Sequence, residues 1–178
     1  KGNGASIKNG ARHAESDILI FMDADGQHDP KYIRPLLEKM ADGADMAVGA
    51  RDNASQAGLG RLAANQIYNT LASWMVEEKV RDLTSGFRAV YREKFIEFID
   101  LLPNGFSYPT TITIAFFRAG YTVVYVPIKA EKRLGKSHVN IKKDGIRFLL
   151  IIFKIGTFYS PRSEEHTSEL QSRQSTSY

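Results

Sequence analysis

Asp17-Ile18-Leu19-Ile20-Phe21-Met22-Asp23-Ala24-Asp25-Gly26-Gln27-His28-Asp29-Pro30 decides the reading of this chain. The run from Ile18 to Met22 is continuously apolar and bounded by polar residues. That pattern predicts a strand buried on both faces, as in a parallel sheet. Two carboxylates, one residue apart, leave its C-terminal end, which is where open α/β sheets bind ligands. Asp29-Pro30 then predicts a helix start, with Asp29 as the cap and Pro30 in the first helical position.

Working outward, residues 5–15 predict a helix before the strand. The helix after Pro30 carries Ile33, Leu36, Leu37 and Met40 on one face and stops at Gly43. Residues 45–50 predict a second strand, 51–60 a polar loop and 62–76 an amphipathic helix. Residues 86–91 predict a strand and 93–102 a helix. Residues 110–119 suit helix or strand by propensity. They are read as helix because Gly120 ends them and a clear strand, 121–126, follows at once. This alternation implies an α/β domain with a mostly parallel sheet flanked by helices.

The chain has 178 residues, enough for one domain with a core. Its 43% apolar and 25% charged residues exclude a disordered chain. With no cysteine, a disulfide framework and a thiolate metal site are both excluded. His13, His28, His138 and His166 show no paired spacing, so a zinc hydrolase has no support. The net charge of +4 is mild, but its placement is uneven. Lys129, Lys132, Arg133, Lys136, Lys142, Lys143, Arg147 and Lys154 crowd the later part of the chain. This points to an anionic membrane surface or a phosphate-bearing substrate, and not to nucleic acid.

Residues 141–159 predict the most apolar helix, with the core Phe148-Leu149-Leu150-Ile151-Ile152-Phe153 set between Arg147 and Lys154. It is too short and too charged to span a bilayer, and reads as an amphipathic helix lying in the membrane interface. An ordinary core helix is the plainer alternative. The chain begins at Lys1 without Met and reads as the middle of an open frame. Residues 162–178 are polar and aperiodic, and the string 162–172 (RSEEHTSELQS) resembles the in-frame translation of a sequencing-adapter oligonucleotide. A genuine disordered tail is the alternative. The expected division is a partial catalytic domain at 1–140, a juxtamembrane helix at 141–161 and an artefactual tail at 162–178.

Asp23 and Asp25 can both reach one divalent cation. Such hard oxygen ligands suit Mg²⁺ or Mn²⁺, which in turn can hold a diphosphate. Gln27 can add an amide oxygen or orient the carboxylates. An EF-hand loop is rejected because its sixth position, a glycine, would be His28. A haloacid-dehalogenase-like phosphatase would use the first Asp as nucleophile, but expects Thr or Val where Gln27 stands and a late acidic pair that the chain lacks. A solvated cap remains open for Asp-x-Asp alone.

Residues 1–30 resemble the central segment of family 2 glycosyltransferases with the GT-A, Rossmann-like fold. They are most similar to the polyprenyl-phosphate enzymes of the dolichol-phosphate mannose synthase type. Further segments agree in order: Val48-Gly49-Ala50-Arg51, the helix after Arg61, Asp82-Leu83-Thr84-Ser85-Gly86-Phe87-Arg88, and Arg133-Leu134-Gly135-Lys136-Ser137. The resemblance covers residues 1–161. It implies inverting, metal-dependent transfer of a sugar from a GDP- or UDP-sugar to a dolichyl or undecaprenyl phosphate, at the cytoplasmic face of a membrane.

Residue by residue, the resemblance implies metal ligation by Asp23, Asp25 and Gln27, and catalytic roles for Asp25 and Asp82. It implies nucleotide-sugar contacts from Asp23, Ala24, Asp25, Gln27, Arg51, Arg133, Lys136 and His138. His138 stands where the family commonly has Lys. Arg51, Arg61, Asn65 and Ser85 would hold the acceptor phosphate, a group that guanidinium matches bidentately. On the residues alone, a surface ion pair is the favoured reading for each arginine. A lipid phosphate has a second pKa of about 6 and is already anionic at neutral pH, so it needs positioning more than a general base. Asp82 is therefore read as a base or an orienting group, and equally as a cap for the turn that follows it. The family's nucleotide-base pocket lies in strand–helix units before the segment matching Lys1, so this chain alone is expected to be inactive. Two other readings stand beside this one. A family 2 enzyme with a hydroxyl acceptor would need a true base at Asp82. A non-catalytic membrane module would bind anionic vesicles without using Asp23 or Asp25.

Overall fold

A computed structural model describes residues 2–52, 59–105, 107–131 and 150. The elements follow the expected order: α1 (Asn3–His13), β1 (Ile18–Phe21), α2 (Ile33–Ala41), β2 (Met46–Arg51), α3 (Leu59–Val76), β3 (Arg88–Tyr91), α4 (Arg92–Glu97), α5 (Tyr108–Arg118) and β4 (Val123–Ile128). The helix start at Asp29-Pro30 is a single 3-10 turn (Pro30–Tyr32) leading into α2. Asp29 caps it by accepting from the Lys31 N–H at 2.9 Å. The threonine-rich α5 is a helix as read, opened by Pro109 and closed at Gly120, whose φ is +77°. Its Thr113 hydroxyl donates to the Pro109 carbonyl at 2.8 Å, four residues back.

The strands form one sheet in the order β1-β3-β2-β4. β2 and β4 pair in parallel, from Met46 opposite Val123 to Arg51 opposite Ile128. β3 runs antiparallel to both of its neighbours, with Ile18 opposite Tyr91 and Met46 opposite Val90. So β1, β2 and β4 point the same way, and β3 alone points against them. The reading did not foresee that reversal. Its consequence is positional: the residues entering β3 meet the residues leaving β1, β2 and β4 at one end of the sheet.

Each face of the sheet carries its own core. On one face Leu19, Phe21, Met46, Val48 and Val90 pack against Phe95, Tyr108, Ile112 and Phe116. On the other, Ala47, Phe87, Ala89 and Val126 pack under Leu36 and Met40 of α2. α3 joins through Ala72 and Val76, which meet Ile114 of α5. Each fully buried side chain of this size contributes about 1.5–3 kcal/mol. Among the described strands β1 lies at one edge of the sheet, and the face carrying Ile20 and Met22 is 36% and 43% exposed at those residues. Leu37 of α2 is also exposed.

Candidate active site

The six residues from Asp23 to His28 form a tight turn at the end of β1. Gly26 has φ +79°, a left-handed backbone that favours glycine. Inside the turn, Asp25 Oδ1 accepts from the Gln27 N–H at 3.1 Å. Across its mouth, the Asp23 N–H donates to His28 Nδ1 at 3.3 Å. From outside, the Gln27 carbonyl accepts from the Glu131 N–H at 3.0 Å, and the Gln27 amide donates back to the Glu131 carbonyl at 3.4 Å. Asp23, Asp25 and Gln27 are half-buried and Ala24 is exposed.

The approach to β3 lies against this turn. A Cβ on Gly86 would come within 2.8 Å of Asp23 Oδ2, so the carboxylate is seated where a side chain would otherwise stand. Four residues earlier, Asp82 is buried and holds Arg51 at the end of β2. Arg51 donates from Nε and Nη2 to the two Asp82 oxygens, both at 2.8 Å, and from Nη2 to Thr84 Oγ1 at 2.7 Å. The Arg51 backbone N–H adds a further bond to Asp82 at 3.1 Å. Burial alone would raise the Asp82 carboxyl, but the Arg51 guanidinium overrides it and holds the group below the usual carboxylate range. Burial would likewise lower Arg51, and Asp82 more than offsets it. A carboxylate so engaged is a poor proton acceptor. The geometry makes Asp82 the group that orients Arg51, and it argues against a general base.

Ser85 is buried, and its hydroxyl donates to the Gly49 carbonyl at 2.7 Å. It ties the turn to β2. Asn65 lies half-buried on α3. The Arg61 side chain, Arg133, Lys136, His138, the 141–159 helix and the 162–178 tail lie outside the described residues.

Three residues escaped the sequence reading. His28 is buried, and its ring stacks on Phe87 at 5.1 Å with 22° between planes. Burial lowers its pKa against the pull of Asp23 and Asp25. Asn69 of α3 clamps the chain on both sides of Asp82, donating to the Arg81 carbonyl at 2.7 Å and accepting from the Leu83 N–H at 2.9 Å. Arg88 is fully buried, and its acceptors among the described residues are neutral: the Ser85 carbonyl, the Pro109 carbonyl at 3.3 Å, Thr113 Oγ1 at 3.1 Å and Met46 Sδ at 3.6 Å. His28, inside the quoted stretch, and Arg88, at the end of the Asp82–Arg88 segment, stood in motifs the sequence offered; Asn69 did not.

A divalent cation fits the donors present. Asp23, Asp25 and the Gln27 amide offer oxygen alone, and Gly86 leaves the room that the Asp23 carboxylate occupies. Among the described residues no three His, Cys, Asp or Glu side chains form a ready cage. That agrees with Mg²⁺-type sites, which take one or two carboxylates and fill the rest with substrate phosphate and water.

Residues 1–99 match the family described as glycosyl transferase family 2. The chain belongs to that family. This family 2 chain is 32% identical over 146 residues to a polyprenol monophosphomannose synthase of Mycolicibacterium smegmatis, covering 78% of this chain and 53% of that protein. It is 31% identical over 136 residues to an undecaprenyl-phosphate mannosyltransferase of Micrococcus luteus, covering 70% and 54%. The chain thus spans about half the length of these curated relatives. Its fold is that of glucosyl-3-phosphoglycerate synthase from Mycobacterium tuberculosis, a structure solved with Mn²⁺, uridine diphosphate and phosphoglyceric acid. The TM-score is 0.69 at 18% identity, over 92% of this chain and 56% of that one.

Proposed function

We propose that this chain is part of an enzyme that moves a sugar, with inversion, from a nucleotide-sugar to a polyprenyl phosphate, using Mg²⁺ or Mn²⁺. The observation that carries the reading is the seating of Asp23 on Gly86. It joins the two-carboxylate turn to the Asp82–Arg51 pair at one end of the sheet. The names of the polyprenyl- and undecaprenyl-phosphate relatives support the acceptor class.

The chain's own residues then divide the work. Asp23 and Asp25, with Gln27, present oxygens toward the donor diphosphate. A divalent cation bound there would stabilise the charge that builds on the departing nucleoside diphosphate. Arg51, whose Nε and Nη2 are held by Asp82, brings the positive charge of its guanidinium toward an anionic substrate oxygen. The acceptor phosphate needs no proton removed, which agrees with an Asp82 spent on Arg51. The hydroxyl-acceptor alternative needed Asp82 as a base and loses that support.

A lipid acceptor also calls for a face toward a membrane. Among the described residues no helix is long and apolar enough to cross one. α3, however, turns Ile67 and Trp74 to solvent, at 63% and 74% exposure, beside a groove of about 490 Å³ lined with Gln66, Thr70 and Leu71. An exposed tryptophan on an apolar helix face suits the headgroup region of a bilayer. We propose the cytoplasmic face of a membrane as its location; the exposed face of α3 supports the membrane contact alone.

The test uses membranes carrying the protein in its complete reading frame, given labelled GDP- and UDP-sugars, polyprenyl phosphate and Mn²⁺. Label should enter the lipid fraction and be lost with chelator or with Asp25→Asn. No transfer from any donor by a folded protein would overturn the lipid-phosphate reading.

A further inference from the structure

We propose that His28 is a positioning residue: its Nδ1 lone pair holds the Asp23 main chain so that the Asp23 carboxylate stays seated on Gly86. A backbone N–H can only donate, so the 3.3 Å contact from Asp23 requires Nδ1 to be the acceptor. The ring is then neutral, with its proton on Nε2. Two strands meet through this one side chain. Nδ1 fixes the residue leaving β1, while the ring face stacks on Phe87, the neighbour of Gly86 at the entry to β3. Such outer contacts typically change metal affinity 10–100-fold when removed.

The proposal rests on the reading of the turn as a cation site, and substitutions separate the two. His28→Phe keeps a stacked ring and loses the acceptor. His28→Asn places an amide oxygen near the Nδ1 position, whereas His28→Gln places its amide near Nε2. Two quantities are read in the full chain: Mn²⁺ affinity by electron paramagnetic resonance of the free ion, and hydrogen exchange at the Asp23 amide. The Phe and Gln variants should bind Mn²⁺ about 10-fold more weakly and exchange faster. The Asn variant should stay within about threefold of wild type, the small residual that a kept acceptor leaves. A packing role alone predicts the opposite order, with Phe the best tolerated.

A folded Phe variant with wild-type Mn²⁺ affinity, or an Asn variant no better than Phe, overturns the proposal. A wild-type chain that takes up no Mn²⁺ overturns the cation reading and this role together. Should the Phe variant not fold, the wild-type ring decides by ¹⁵N spectroscopy. Nε2 protonated with Nδ1 bare supports the proposal, and a proton on Nδ1 overturns it.

Discussion

The seat of Asp23 on Gly86 makes a narrow demand on a single residue. Alanine there would put a methyl 2.8 Å from Asp23 Oδ2. The obstructing group is the end of a side chain that can swing away, so Gly86→Ala should fold normally, with a stability change within about 1 kcal/mol. The displaced carboxylate should cost 10–100-fold in Mn²⁺ affinity, on the order seen when ligand-orienting contacts are lost. Calorimetry alongside Mn²⁺ titration checks both halves. Asp82 makes a different demand. Its folded pKa lies below the ordinary value, so its contribution to stability is present above about pH 4 and is lost as pH falls through the folded value. Asp82→Asn leaves a mostly buried Arg51 without its counter-charge. It should cost up to about 3–5 kcal/mol near neutrality. Denaturant titrations from pH 7 to pH 3 should also show a flatter acid slope than wild type. Asp23, Asp25 and Gln27 were legible in the sequence because they are contiguous and follow an apolar run. The choice between base and orienting group for Asp82 was not, because it depends on burial and on a partner 31 residues away. Asn69 was illegible for the same reason, since its two bonds grip a segment that a helix face reaches only after folding.

At the scale of elements, periodicity and caps placed every strand and helix of the described region within a few residues. They could not give strand direction. The apolar pattern of β3 is the same whichever way it runs, and its antiparallel pairing is decided by where α3 returns the chain. A continuous apolar run likewise does not say whether a strand is central or at an edge. α3 carries the clearest prediction at this scale. Ile67→Glu with Trp74→Glu should abolish sedimentation with phosphatidylglycerol vesicles, because charge replaces the face proposed to meet lipid. Both positions are exposed, so the melting temperature should hold, within about 0.5 kcal/mol of stability per site. Unchanged vesicle binding would remove α3 from the membrane contact.

For the whole molecule, the four strands deliver Asp23 and Asp25, Arg51, the Asp82–Gly86 approach and Glu131 to one end of the sheet. The chain covers about half of its curated relatives, and we expect it alone to turn over neither GDP- nor UDP-sugars. Release of nucleoside diphosphate by the purified 178-residue chain, above an Asp25→Asn control, would contradict this. The reversed central strand also bears on how such a protein comes off the ribosome. β3 sits between β1 and β2 although it is made after both, and Ile18 finds its partner only when Tyr91 has been synthesised. Until then neither earlier strand has the described neighbour that separates them. Between the apolar run that carries the two carboxylates and its partner β3, all of α2, β2 and α3 are translated. Long-range closure of this kind is slow, and its waiting strands are where nascent chains stick to one another. A chaperone's interest in this protein should therefore be greatest before residue 91 has cleared the exit tunnel.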